Sequence, residues 1–372
     1  MNDLDFLSDL KEKISGYVRS LEDPLCAGHF YPMDPSQTPK TPIALGYSCF
    51  ALKTLYTINE WEKIPELKRQ QWINYIKSFQ IGTPTNYQQH YEKNAFIDPP
   101  VVDYLLQKSS VVKKITRILL KKPKFGDLER TIYAETKQAI ATLHQVGEHN
   151  DHIYTSFPTE LSDLYSHLIS LNWREPWGAG GQAAALAVFI KTEAPRFLGE
   201  AEVQALSGQI SGFFGSLADP VTGAYYINPK PNYGQMINGA MKVLTALDWL
   251  EERVHYPEQL IDTCLSQMPS SEGCHLVDAV YVLHRCNLQT DYKKQEIREY
   301  CTKILHMIQL HQNKDGGFSY HIGKTQNWYY GVHFPQKTGI SDLHGTCLLT
   351  WAVAMLDQIS EERILEWEVI RP

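Results

Sequence analysis

The chain has 372 residues, of which 43% are hydrophobic, and a formal net charge of −7. This length and composition are sufficient for a large apolar core and would allow more than one domain. The acidic balance gives no electrostatic indication of a nucleic-acid-binding surface.

Several features of the sequence indicate the cellular compartment of the protein. Seven cysteines are scattered along the chain without a CxxC pair or a disulfide-type spacing, as is typical of proteins in a reducing compartment. Residues 1–19 mix acidic and basic side chains and lack the uninterrupted apolar core of a signal peptide. No window approaches the roughly 18 apolar residues of a membrane-spanning helix. We therefore expect a cytoplasmic protein.

Apolar periodicity predicts helices along the whole chain and no strand of useful length. The first predicted helix covers 2–21, and residues 22–42, which include five prolines, form an extended connection. The other predicted helices cover 43–57, 65–80, 98–107, 110–121, 127–147, 158–171, 178–191, 199–216, 235–252, 257–267, 274–287, 291–312, 341–357 and 359–368. We predict an all-α fold with residues 1–372 in a single domain.

A weak internal repeat indicates how these helices are arranged. Each copy consists of two helices followed by a turn that contains Gly or Asp and an aromatic residue, and three turns fit the pattern at 94–98, 219–225 and 315–320. Helical hairpins cannot bury their apolar faces alone, so they stack on one another. Because no polar capping repeat is evident, we predict that about six hairpins close into an α/α toroid around a central cavity.

Two stretches place ionisable side chains at the start of predicted inner helices, at 274–281 and 339–347. Asp278 and His344 would both enter the interior, where an unpaired charge is costly. We interpret them as a general acid and base or as a remnant metal-binding pair; a structural hydrogen bond between two inner helices is the alternative. Asp342 either caps its helix or orients His344.

Aromatic side chains accompany polar ones in the loops that would surround the cavity. Trp173 and Trp177 flank Glu175 ahead of a helix, so the aromatic rings could stack on a sugar or face a carbocation while Glu175 donates a proton. A packed turn between hairpins is the alternative. Four further residues are predicted to contact a small-molecule substrate, namely Tyr233, His275, Tyr329 and Tyr330.

Residues 108–124 contain seven basic residues and no acidic one. Their apolar stripe predicts an amphipathic helix that could make peripheral contact with an anionic membrane surface. A helix that faces the core and has a solvated basic side is the alternative.

The repeat turns at Gln80, 95–98 and 312–318 resemble those of the protein prenyltransferase β subunits and the squalene/terpenoid cyclases. In the prenyltransferases, a Leu-Val-Asp-Gly-Cys run supplies an Asp and a Cys to zinc, and a Tyr-His-Thr run supplies the His. The resemblance aligns Asp278 and His344 with two of these ligands, whereas Val280 stands at the cysteine position. The Asp-x-Asp-Asp and Asp-Asp-x-x-Asp motifs of the cyclases and ionising synthases are absent.

The resemblance implies an enzyme that acts on a lipid-like or isoprenoid-derived molecule by acid/base chemistry in the cavity, with zinc as a candidate cofactor. One alternative is a glycan-active lyase, hydrolase or epimerase, with a catalytic set drawn from Glu175, Asp278, Asp315, His344 and Tyr329. A non-catalytic binding module on the same fold is the second alternative.

Overall fold

The computed structural model describes residues 3–36, 43–80, 94–108 and 127–372. Within these ranges the helices are α1 (Asp3–Ser8), α2 (Leu10–Ser20), α3 (Leu45–Thr57), α4 (Glu66–Lys77), α5 (Pro99–Lys108), α6 (Asp127–Gln145), α7 (Leu161–Ser170), α8 (Pro176–Thr192), α9 (Glu200–Leu217), α10 (Tyr233–Leu250), α11 (Pro257–Leu265), α12 (Gly273–Asn287), α13 (Lys294–Gln309) and α14 (Leu343–Ile359). Two short strands, β1 (Trp328–Tyr329) and β2 (Val332–His333), pair antiparallel as a hairpin.

Six of the helices form a closed inner ring. In ring order they are α3, α6, α8, α10, α12 and α14, each packs against the next, and α14 packs against α3. Other helices cover this ring from outside: α4 lies on α3 and α6, α9 on α8 and α10, α11 on α10 and α12, and α13 on α12 and α14. The predicted all-α, α/α-toroid fold is therefore confirmed.

The apolar pattern of each helix explains its layer. Helix α3 buries all but one of its residues, and α10 and α14 are nearly as fully buried. By contrast, α13 buries only one stripe, which consists of Ile297, Tyr300, Cys301, Ile304 and Ile308. A helix that is apolar on all sides requires neighbours on all sides, whereas an amphipathic helix can lie between the ring and solvent.

A short backbone bridge recurs after four outer helices. Each bridge joins the end of the outer helix to a buried aromatic residue, in the pairs Glu22–Phe30, Gln80–Phe96, Ala218–Tyr225 and Gln312–Phe318. Three of these are the turns of the predicted repeat. The fourth, at Glu22, assigns the N-terminal helix α2 to the same outer layer.

The predicted helix at 359–368 is wrong, because this segment is extended. The Asp357 carboxylate accepts hydrogen bonds from the backbone N–H groups of Ile364 and Leu365, which turns the chain away from a helix. The N-terminal helix, predicted as one piece, is divided at Asp9 into α1 and α2.

The extended tail crosses one end of the ring. Its Glu368 N–H donates to the carbonyl of Thr57 at the end of α3, and the Trp249 indole N–H at the end of α10 donates to the carbonyl of Pro372. Since α3 and α10 are opposite members of the ring, the tail spans this end from side to side. The same contacts show that the C-terminal ends of α3, α10 and α14 lie at the same end of the ring.

The predicted amphipathic helix at 108–124 lies almost entirely outside the described residues. In the described ranges, no helix is long and apolar enough to cross a membrane. The cytoplasmic location of the protein stays a prediction.

The tail supplies a test of ring closure. Trp367 is 4% exposed, so Trp367→Ala would leave a cavity beneath the tail and is expected to lower the free energy of unfolding by about 3 kcal/mol. Denaturant unfolding would measure this loss. Ile364→Ala, at a half-exposed position of the same tail, is the matched control and should change stability by less than about 1 kcal/mol; equal effects of the two variants would contradict the packing described.

Candidate functional site

Three lysines from different inner helices point into the ring. They are Lys53 on α3, Lys137 on α6 and Lys242 on α10. Burial and repulsion from Lys53 and Lys242 together hold the pKa of Lys137 well below its usual value. Lys137 and Lys242 are on helices that α8 separates in the ring, so their interaction requires both side chains to point inward. We call this interior space the lumen.

Asp278, on α12, is a carboxyl group that interacts electrostatically with Lys242. It is 2% exposed, and its Oδ2 atom has no hydrogen-bond partner in the described part of the protein. Burial raises the pKa of Asp278 to about 7, and the positive charge of Lys242 opposes part of that rise. At neutral pH this carboxyl group is therefore divided between its protonated and ionised forms, as a proton donor requires.

His344, the second residue of α14, is held as a neutral imidazole. Burial, with repulsion from Lys242, lowers the pKa of His344 to about 3. Its Nδ1 atom bonds with Oε1 of Gln326, and because an amide oxygen accepts, Nδ1 carries the proton. The ring stacks on Phe50 at 4.7 Å between centroids and on Tyr320 at 5.6 Å. Nε2 is left as the proton acceptor.

The β1–β2 hairpin lies beside the starts of α3 and α6. Tyr329 is buried against Tyr47 and His344, and a side chain on Gly46 would collide with the Tyr329 hydroxyl group. Tyr330 follows with a backbone φ of 42°, and its carbonyl accepts a hydrogen bond from Thr131. The hairpin therefore brings two predicted substrate-contact residues to this end of the ring.

A second buried carboxyl group belongs to α6. Glu135 is 2% exposed, its Oε1 atom has no hydrogen-bond partner in the described residues, and burial with the nearby Asp98 raises its pKa well above the usual value. Burial raises the pKa of Tyr330, and its neighbours Glu135 and Cys274, the latter on α12, add to that rise. Tyr330 therefore lies between the α6 and α12 sides of the site.

Asp278 and His344 are not in direct contact. No hydrogen bond or ion pair joins them, and each instead experiences the charge of Lys242. Tyr320 connects the two sides, because it stacks on His344 and its hydroxyl group interacts with Cys274, one turn before Asp278. The two predicted residues therefore face one lumen without forming a pair.

Asp342 and Asp315 are occupied by the backbone. Asp342 is the N-cap of α14 and accepts from the N–H groups of Gly345, Tyr320 and Gln326 at 2.7, 2.8 and 3.0 Å. Asp315 accepts from the N–H and hydroxyl groups of Ser341. These bonds fix the loop that precedes α14 and so the position of His344.

Glu175 and Trp173 lie at the N-terminal end of α8. Glu175 is exposed at the start of α8 and accepts a hydrogen bond from Asn172. Trp173 is buried, donates its indole N–H to the carbonyl of Leu168, and packs against Phe213. This is the environment of an ordinary core tryptophan.

Trp177, His275 and Tyr233 occupy the rim near the start of α10. The rings of Trp177 and His275 lie 5.6 Å apart, and Asn238 donates its side-chain N–H to Nδ1 of His275 at 3.1 Å. His275 and Tyr233 line an open groove of about 280 Å³. This groove offers aromatic rings beside amide groups.

The described residues do not fit the zinc site that the resemblance implied. In the described ranges, no group of three or more His, Cys, Asp or Glu side chains is placed to hold a metal ion. Asp278 and His344 are not adjacent, and Val280 provides no ligand atom.

Comparisons with known proteins give fold-level neighbours only. No family model matches the chain, and no curated protein matches it. Among solved structures, it is similar to the GH76A α-1,6-mannanase from Salegentibacter sp. HEL1_6, with 13% identity, a TM-score of 0.44, and coverage of 95% of this chain and 99% of that one. It is also similar to a GH76 α-mannanase from Bacteroides thetaiotaomicron, with 13% identity, a TM-score of 0.39, and coverage of 95% and 96%.

The predicted membership of the prenyltransferase and terpenoid cyclase group is wrong, as is the predicted action on an isoprenoid. The structural neighbours are mannanases, and the physical reason lies in the lumen. Lys53, Lys137 and Lys242 place amino groups in its wall, and stripping water from such polar groups against a hydrocarbon would be costly. What the sequence identified correctly was the toroid, which hosts unrelated chemistries.

Sequence reasoning missed the three lysines and Glu135. Lys53 and Lys242 each interrupt a continuous apolar run, Phe-Ala-Leu-Lys-Thr-Leu and Ala-Met-Lys-Val-Leu. A single charge inside a helix that is apolar on all sides is the signal that could have found them. The helix of Lys137 and Glu135 is more mixed and carries no comparable signal.

The bonds of Asp342 predict a structural role that can be measured. Asp342→Ala would leave three backbone N–H groups without an acceptor and is expected to cost about 2–4 kcal/mol of unfolding free energy. Thermal or denaturant unfolding would detect the loss. Asp163→Ala, at an exposed position of α7, is the control; a stable Asp342→Ala protein would contradict the cap.

The raised pKa of Asp278 predicts a dependence of stability on pH. The group titrates near 3.8 when unfolded and near 7 when folded, so the folded state binds more protons between these values. The free energy of unfolding should therefore fall as pH rises from about 4 to 7 and then level off, by at most about 4 kcal/mol.

Asp278→Asn removes this contribution, so the variant should be more stable than the natural protein at pH 8 and lose that advantage towards pH 5. Urea unfolding across this range measures it. Asp163→Asn should follow the natural protein at every pH, and an Asp278→Asn curve parallel to the natural one would refute the buried, protonated carboxyl group.

Proposed function

We propose that this chain is an enzyme that cleaves a glycan in the lumen, with Asp278 as the proton donor. The observation that supports this most is a buried carboxyl group with a pKa of about 7 and one oxygen free of hydrogen bonds in the described protein. Such a group can protonate the oxygen that departs when a glycosidic bond breaks. A water molecule adds to the sugar carbon from which that oxygen departs, and the water loses a proton to a base.

His344 is the residue we assign to that base. Its imidazole is neutral, its Nδ1–H is directed to Gln326, and Nε2 is therefore the acceptor. Phe50 and Tyr320 both stack on the ring, which restricts its orientation. Glu135 supplies a second buried carboxyl group on another side of the lumen.

The character of the site favours a sugar over an apolar molecule. A sugar presents hydroxyl groups, which hydrogen-bond to charged and amide side chains, and C–H faces, which pack on aromatic rings. The lumen and rim provide both kinds of group, in Lys242 and Asn238 and in Trp177, Tyr320 and Tyr330. Binding sites commonly combine such polar groups with aromatic walls.

The test is a turnover assay on a panel of oligosaccharides that differ in linkage and charge, with α-1,6-linked mannooligosaccharides included, and released reducing ends as the readout. We expect one class to be cleaved and the rate to decline as pH rises through about 7, since Asp278 must carry a proton. Asp278→Asn should reduce kcat at least 100-fold, whereas the exposed control Asp163→Asn should not change it.

Circular dichroism would establish that both variants are folded. Full turnover in folded Asp278→Asn would contradict the assigned proton donor. Tight binding of an oligosaccharide without cleavage at any pH would instead favour the non-catalytic binding module.

A further inference from the structure

Three lysines in the lumen lack a balancing negative charge. No hydrogen bond or ion pair joins Lys53, Lys137 or Lys242 to any residue in the described ranges, although the structure records many ion pairs for lysines on the outer surface. Lys53 is only 4% exposed, and the other two are half-buried. Buried cations are normally paired, because removal from water without a partner is costly.

The carboxyl groups of the lumen do not supply this partner. Neither Asp278 nor Glu135 forms a hydrogen bond or ion pair with any of the three lysines, and burial raises the pKa of both carboxyl groups. Cys274 and Cys347 are also held as neutral thiols, each with a pKa raised to about 11. The described wall thus holds three amino groups with no ion-paired carboxylate beside them, in a chain whose total charge is −7.

The three amino groups also come from positions that surround one space. Lys53 is on α3, Lys137 on the adjacent α6, and Lys242 on α10, beyond α8. Gly180 on α8 has no side chain, and a Cβ atom there would lie 2.9 Å from Cβ of Lys242. Glycine at this position therefore lets the stem of Lys242 pass between α8 and α10.

We propose that the lumen binds an anionic group of an acidic glycan, held by the ammonium groups of Lys53, Lys137 and Lys242. The glycan part of this inference rests on the proposed function, whereas the anion part rests on the lysines alone. A sugar carboxylate, sulfate ester or phosphate ester shares the required chemistry, because each places negative charge on several oxygens. Lys242 also adjoins Asp278 and His344, so the anion would lie next to the reacting bond.

An anion at this place would also affect the chemistry. The charge of Lys242 lowers the pKa of His344, so an anion bound to Lys242 would offset that effect and make the imidazole a stronger base. The base would then be fully effective only when the acidic substrate is present. A neutral sugar would not produce this change.

The test compares acidic with neutral sugars by isothermal titration calorimetry on the full chain. The probes are D-glucuronate, D-glucose 6-sulfate and D-glucose 6-phosphate against D-glucose, with inorganic sulfate and inorganic phosphate as separate arms. We expect at least one acidic sugar to bind at least tenfold more tightly than D-glucose and more tightly than either free ion. The order of the three acidic sugars identifies the anionic group.

Lys137→Met keeps the length of the side chain and removes its charge. This variant should lose the tenfold preference for the acidic sugar and, because an unpaired buried charge is removed, should melt at a higher temperature than the natural protein without ligand. Lys53→Met should behave in the same way. The matched control is Lys303→Met, an exposed position on the outer helix α13, which should change neither property.

The outcomes separate this inference from the proposed function. Equal binding of acidic and neutral sugars, or an unchanged preference in folded Lys137→Met, would overturn the anion site even if neutral glycans are cleaved. Lysine-dependent binding of acidic sugars without cleavage of any glycan would support the anion site and overturn the proposed function. Binding of the free ions alone, with no gain from the sugar, would overturn the acidic-glycan substrate.

Discussion

The cost of holding ionisable side chains inside a closed ring is the constraint on which the rest of the structure depends. Six inner helices pack on one another and on the outer layer, and they carry lysines, carboxyl groups and an imidazole that are buried or half-buried. Burial at a low local dielectric constant raises the pKa of Asp278 and lowers those of Lys137 and His344. The reactivity assigned to the site arises from that cost.

The carboxyl groups near the lumen are of two kinds. Some form hydrogen bonds that build the site, and others have an oxygen that is free to react. Asp342 and Asp315 use their oxygens on backbone groups and set the direction of α14. Asp278 keeps an oxygen unbonded among the described residues, although it is about as buried as Asp342. Burial alone therefore does not mark a reactive carboxyl group; burial together with a missing partner does.

Much of the fold could be predicted from the sequence, and less of the site. The inner helices follow from apolar runs without a polar side, and the turns at Gln80, Ala218 and Gln312 follow from the repeat. The extended tail was mistaken for a helix because its periodicity is compatible with one, and only the capping of Ile364 and Leu365 by Asp357 decides against it. Asp278 and His344 could be identified as interior groups, but their lack of direct contact and their common neighbour Lys242 depend on how distant helices meet. The zinc site that the resemblance implied was wrong, because proteins with a similar fold need not have the same metal-ligating residues.

Closure of the ring between α3 and α14 has a consequence for biosynthesis. These two inner helices stand near opposite ends of the described chain, and their contact completes the circle. During translation the earlier helices leave the ribosome long before their last neighbour does, so an apolar flank of α3 stays uncovered until the final hairpin emerges. Such long-range pairing makes folding slow and leaves the nascent protein prone to aggregation or to reliance on chaperones.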